Sequence, residues 1–137
     1  MSRKVARELS FKTIFSYDFQ KEEEPLEHLI ENLKEETKEI TPEDNEYIHS
    51  VVEGVISHKD ELDDLIQKYL KGWTMDRISK TDLAILRLAI YEIMYREDIP
   101  YKVSVNEAVE LAKMFSDDAS SSFINGVLAG VIQEISE

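Results

Sequence analysis

The sequence predicts an all-α protein, a compact bundle of six to seven helices, and three observations carry that prediction. Only four glycines and three prolines interrupt 137 residues. Good helix formers dominate between those breakers. Apolar residues recur at helical rather than strand spacing in each long segment. The length is that of one ordinary domain, and 42% hydrophobic with 33% charged residues is the balance of a globular chain with a sizeable core. The expected organisation is one domain over residues 1–137, with a division into two three-helix halves around Gly72 left open.

The first helix is expected from Arg3 to Phe19, where Val5, Ala6 and Leu9 begin an apolar face that Ile14 and Phe15 widen. Lys21 to Glu24 reads as an exposed turn. Pro25 suits a first helical position, and Leu26, Leu29, Ile30 and Leu33 follow at helical spacing to about Glu39. Thr41-Pro-Glu-Asp44 combines a capping hydroxyl, a preset φ and acids that complement the helix dipole. The helix it opens presents Tyr47, Ile48, Val51, Val52, Val55 and Ile56.

Ser57 with Asp60 resembles a capping box, restarting a helix with Leu62, Leu65, Ile66, Tyr69 and Leu70 that Gly72 ends. From Asp82 to Tyr95 the apolar positions run almost all the way round, the pattern of a helix buried among others. Asp98-Ile-Pro100 breaks the chain, and Ser104 with Glu107 forms a second capping box opening Val105 to Phe115. Asp117 to Ser122 reads as a polar loop. The last helix, from roughly Ser121 to Ile135, turns Phe123, Ile124, Val127, Leu128, Val131 and Ile132 inward.

Composition excludes several chemistries. Cysteine is absent, so there are no disulfides, thiolate metal sites or cysteine nucleophiles, which fits a reducing cytoplasm. No export signal is visible. Leu83 to Tyr95, the longest apolar stretch, is broken by Arg87 and Glu92 and is too short for a membrane span. His28, His49 and His58 lack metal-ligand spacing and are expected on exposed faces. Asp60, Glu61, Asp63 and Asp64 read as a solvated stripe, and no phosphate-cradling glycine loop is present, so neither a cofactor nor an enzyme is expected.

Net charge is −13, which as a whole repels nucleic acid. Its distribution is uneven: residues 1–12 hold Arg3, Lys4, Arg7 and Lys12 against Glu8 alone, a net +3, leaving −16 on the other 125 residues. Arg3, Arg7 and Phe11 sit at steps of four, with Lys4 close to the same face, so the first helix offers cations beside an aromatic ring. That chemistry suits RNA, whose phosphates take cations and whose unpaired bases stack on aromatic or guanidinium planes. A basic first turn that only solubilises the N-terminus is the bland alternative.

One dense, ordered signature completes the reading: Trp73, Arg77, Asp82-Leu-Ala-Ile-Leu-Arg87-Leu-Ala-Ile-Tyr91-Glu92, Pro100, Asn106-Glu-Ala-Val-Glu-Leu-Ala-Lys113 and Phe123-Ile-Asn125-Gly126. With Arg3-Lys-Val-Ala-Arg7-Glu8 and Phe15 at the start, it resembles the bacterial NusB family of transcription antitermination factors over most of the chain. The resemblance implies an all-helical, non-catalytic cytoplasmic protein that binds boxA-type RNA together with the ribosomal protein NusE. It also implies a place in an RNA polymerase antitermination complex that supports ribosomal RNA transcription. A related domain fronts certain RNA cytosine methyltransferases, but this chain has no room for a catalytic domain.

The resemblance makes Phe123 and Asn125 candidate stacking and polar contacts to RNA, Lys113 a further phosphate contact, and Asp82, at an expected exposed helix start, an acidic contact for NusE. Each has an ordinary alternative: core for Phe123, a satisfied backbone group for Asn125, a solvated lysine, and a dipole-complementing acid for Asp82. Arg87 and Glu92 read as internal ion-pair partners, Trp73 and Tyr91 as packing residues, and Gly126 with Gly130 as a close helix contact. Members of the family often place a basic residue directly before the phenylalanine; here Ser122 stands there, with Asp117 and Asp118 upstream. Fewer cations mean fewer released counterions and weaker RNA binding by the isolated protein. A helical protein-interaction adaptor that binds no RNA is therefore the second reading, and a homodimer through an apolar face stays open.

Overall fold

A computed structural model describes residues 3–20, 26–35, 40–72 and 74–136. The turn at Lys21 to Glu24, Pro25, the side chains of Leu26 and Leu33, the extension to Glu39 and Trp73 lie outside the described residues. Within them the chain is helical and holds no strand: α1 Arg3–Gln20, α2 Leu26–Glu35, α3 Pro42–Ser57, α4 Lys59–Lys68, a single 3-10 turn Met75–Arg77, α5 Lys80–Tyr95, α6 Tyr101–Phe115 and α7 Asp118–Ser136.

The helices form two compact units, Met1–Ser57 and His58–Glu137. The boundary falls between α3 and α4, not at Gly72. Side-chain bonds explain why α4 belongs with the later helices: Asp63 takes two hydrogen bonds from Arg87, at 2.8 and 3.0 Å, and Lys68 and Tyr69 both reach Glu134.

In the first unit α1 packs against α2 and α3. Ala6, Leu9, Phe11 and Ile14 are buried, as are Leu29, Ile30, Tyr47, Ile48, Val51, Val52 and Val55. Burying each large aliphatic side chain contributes about 1.5–3 kcal/mol. The buried hydroxyls of Ser10 and Thr13 donate to the carbonyls of Ala6 and Leu9 four residues back, so neither is left unsatisfied. Thr41 caps α3 as its sequence predicts, its Oγ1 accepting from the Asp44 amide at 3.1 Å.

In the second unit α5 is central, packed by α4, α6 and α7. Every residue from Asp82 to Ile90 is buried, which is what all-round hydrophobicity predicts. Helix starts differ from the sequence reading in an informative way. Ser79 caps α5, accepting from the Asp82 amide at 3.1 Å, so the helix begins at Lys80. Pro100, with its preset φ, occupies the cap of α6, and Ser104 is not a cap: it is buried and donates to Glu92 at 2.8 Å. Asp117 accepts from the Ser120 amide at 2.7 Å, drawing the expected polar loop into the first turn of α7. His58 rather than Ser57 precedes α4, with no side-chain cap bond.

After α4 the chain reverses through two left-handed residues, Lys71 at φ 51° and Gly72 at φ 93°. Glycine adopts this region readily, whereas a lysine there is strained and persists only where its surroundings hold it.

Candidate nucleic-acid interface

The basic face of α1 is real as a face but points largely inward. Arg7 is only 5% exposed and Phe11 is buried, so the pair does not form the open cation-and-ring surface expected from spacing. The reason is Tyr47 on α3: the Arg3 and Arg7 guanidinium carbons lie 4.5 and 5.6 Å from its ring centroid, a cation–π arrangement. Arg3 also donates through Nε to Asp44 at 3.2 Å. Lys4 is exposed and Arg3 and Lys12 are partly so, and these are the α1 cations that solvent or a polyanion reaches more directly than Arg7.

In the second unit, Phe123 is half-buried on the first turns of α7 and lines two cavities. The larger, about 330 Å3, is shared with Arg77, Ile78, Asp82, Asp117 and Ser120. Asp82 is not exposed as expected; it is 7% exposed, because Ser79 caps the helix ahead of it and the Ser120 hydroxyl donates to its Oδ2 at 2.9 Å. The smaller cavity, about 240 Å3, lies between Phe123, Ser122 and Gly126 on α7 and Tyr69 and Lys71 after α4. Asn125 and Lys113 are both exposed. The structure thus brings Asp82 and Phe123 to one cavity, while Asn125 lies two residues from that wall on the same helix.

The family model described as NusB family matches residues 4–133. The chain belongs to the NusB family. Transcription antitermination protein NusB of Acetivibrio thermocellus is 48% identical over 135 residues, covering 97% of this chain and 90% of that protein. The Bacillus subtilis protein of the same name is 41% identical over 139 residues, covering 100% and 99%. Among solved structures, T. maritima NusB superposes with a TM-score of 0.89 at 34% identity, over 98% of this chain and 92% of that one. A chain from a crystal structure of antitermination factors NusB and NusE in complex with dsRNA superposes with a TM-score of 0.85 at 26% identity, over 96% of both.

Other polar residues of this NusB-family chain have structural partners. Arg87 meets Asp63, which takes Asp63 out of the solvated stripe, and Glu92 accepts from Ser104. Glu134 is held below its ordinary carboxyl value by its bond to Lys68 and then by that to Tyr69, and Lys68 is raised by the same bond from Glu134. His28 is exposed, but His49 is half-buried beside Glu53, and His58 packs on Tyr95 and Tyr91 with centroids 4.6 and 6.0 Å away. The Tyr95 hydroxyl donates to Glu61, and this bond raises the pKa of Tyr95. Among the described residues no group of three His, Asp or Glu side chains could hold a metal ion, and no helix is long and apolar enough to cross a membrane.

Sequence reasoning gave Lys71 no role, placed Tyr69 on an apolar helix face and read Gly126 with Gly130 as a close helix contact, of which only Gly130 makes one, against Tyr69. The relation of Lys71, Tyr69 and Gly126 to Phe123 depends on α7 packing beside the end of α4, which local spacing does not encode.

Proposed function

We propose that this protein is a non-catalytic transcription antitermination factor that binds boxA-type RNA together with ribosomal protein NusE, in the cytoplasm, as part of an RNA polymerase complex supporting ribosomal RNA synthesis. The observation that carries the reading is the likeness, over nearly the whole chain, to a NusB solved with NusE and double-stranded RNA. The chain's own chemistry supports it: Phe123 lies half-open between two cavities, and Lys4, Lys113 and Asn125 are exposed. In this reading Arg3, Lys4 and Lys113 serve the phosphates, Arg7 adds its charge from behind them on the Tyr47 ring, Phe123 stacks on a base and Asn125 makes a polar contact. Asp82 meets NusE through the cavity that it lines.

Arg7 is covered and Arg3 is engaged by Asp44, so the isolated protein binds RNA weakly and NusE supplies further contacts. The test is a titration of labelled boxA-type RNA and a scrambled control, with and without NusE, at several salt concentrations. Preference for the boxA-type RNA, strengthened by NusE, is the expected result. Equal affinity for both RNAs even with NusE present overturns the proposal and leaves the protein-interaction adaptor.

A further inference from the structure

Two glycines four residues apart on α7 have different structural reasons to exist. A Cβ on Gly130 would stand 2.5 Å from the Tyr69 ring, so the fold itself requires glycine there. A Cβ on Gly126 would meet nothing within 4 Å, and its φ is not left-handed. Glycine inside a helix costs about 1 kcal/mol relative to alanine, and among the described residues no packing or backbone demand at Gly126 offsets that cost. Gly126 instead walls the smaller cavity, opposite Tyr69 and Lys71 and beside Phe123.

Charge distinguishes the two cavities that share Phe123. The larger has Asp82 and Asp117 in its wall beside Arg77, so carboxylates outnumber the cation there and oppose a polyanion. None of the residues lining the smaller one is acidic, and exposed Lys71 stands on it. Glu134, which reaches Tyr69, is paired with Lys68 at 2.5 Å. On a chain of net charge −13, a cavity that combines a cation, two aromatic residues and no carboxylate is the place for a nucleotide rather than for a basic protein segment.

We infer that the cavity between Gly126, Phe123, Tyr69 and Lys71 is a subsite for one unpaired nucleotide of RNA. The base packs against Phe123, Gly126 is bare so that it can approach α7, and Lys71 takes the adjoining phosphate. Ser122, the residue that replaces the basic one often found in the family, lines the same cavity, and a hydroxyl suits a base edge or a 2′-hydroxyl. Lys71 lines the cavity from a left-handed backbone position, at φ 51°. This subsite rests on the RNA-binding reading above.

The test uses the full chain with NusE and single-stranded boxA-type RNA. Gly126→Ala and Gly126→Leu add bulk where the fold has open space, so thermal stability should hold or rise while RNA affinity falls, by about tenfold or more for the leucine variant. Lys71→Gln removes the charge while keeping an unbranched polar side chain and the backbone demand of the residue, and should reduce the slope of log affinity against log salt by about 0.7. If the wild-type protein binds the RNA and both Gly126→Leu and Lys71→Gln match its affinity and slope, the subsite is wrong and the RNA-binding reading stands. If Gly126→Leu weakens NusE binding in the absence of RNA, the cavity is a protein socket and the nucleotide assignment falls. If the wild-type protein binds no RNA under any condition, both fall together.

Discussion

Replacing Asp63 with alanine should be among the most damaging single changes available on the surface of α4. Its carboxylate takes two hydrogen bonds from Arg87, Nε to Oδ1 at 2.8 Å and Nη2 to Oδ2 at 3.0 Å, while the arginine side chain is 7% exposed. Breaking a buried pair by removing one partner costs about 3–5 kcal/mol, because the remaining charge stays out of water. Asp63 retains 23% exposure, so water already screens part of the attraction, and a value of about 2–3 kcal/mol is the better expectation. For a domain of this size that corresponds to roughly 10 °C in Tm. Urea unfolding followed by circular dichroism measures it, with an unchanged m-value showing that the effect is on stability. The double variant Asp63→Ala/Arg87→Met should recover most of the loss, since an apolar side chain of similar length no longer carries a buried charge. A loss below about 1 kcal/mol for Asp63→Ala, or no recovery in the double variant, would refute the reasoning.

Other consequences are open to the same kind of measurement. Ser104→Ala removes the hydroxyl that serves Glu92, itself 1% exposed, and should cost about 1–3 kcal/mol in urea unfolding; a loss below about 0.5 would show that this bond does not sustain the carboxylate. Gly130→Ala should lower stability by about 1–2 kcal/mol despite alanine's helix propensity, because the Tyr69 ring must move; a raised Tm would contradict the close approach. Arg7→Ala should lose about 1–2 kcal/mol of stability along with RNA affinity, whereas exposed Lys4→Gln should lose less stability and reduce the salt slope; equal Tm for both would mean Arg7 is not the packing residue its burial indicates. Glu134 is lowered below 4.5, so its contribution is present above that pH and is lost as pH falls through the lowered value. Lys68 is raised above 10.5, so its share is present below that pH and lost as pH rises through the raised value. The stability difference between wild type and Glu134→Gln should therefore be constant between about pH 5 and 10 and shrink on either side, and a difference that grows under acid would reverse the sign of the linkage.

Where the fold was legible, one local pattern had no competitor. The all-round hydrophobicity of Leu83 to Ile90 admits only a helix enclosed by others, and Thr41-Pro-Glu-Asp44 offers a single hydroxyl in capping position. Where several Ser and Asp residues crowd together, the pattern no longer chooses. Ser104 has the spacing of a capping box with Glu107, but a buried Glu92 twelve residues earlier claims its hydroxyl. The sequence reading began α7 near Ser121 and left Asp117 in a loop, whereas the bond from the Ser120 amide to Asp117 sets the start of the helix earlier.

The candidate site was legible in type more than in placement. Spacing put Arg3, Arg7 and Phe11 on one face correctly, but it could not show that Tyr47, forty residues beyond Arg7, covers that face. Asp82 looked exposed because helix starts usually are, and only Ser120, thirty-eight residues away, shows otherwise. Lys71 carried no local signal of function: its left-handed φ and its place beside Phe123 are properties of the folded chain.

The contrast between Gly126 and Gly130 separates two kinds of selection acting on one residue type within a single turn. A descendant of this protein that gave up RNA would still need Gly130, because Tyr69 stands against it whatever the protein binds. Nothing among the described residues would then hold Gly126, and alanine should drift in quickly, since it makes a better helix. Across a lineage, the first of these glycines to vanish would record a change of occupation, and the loss of the second a change of architecture.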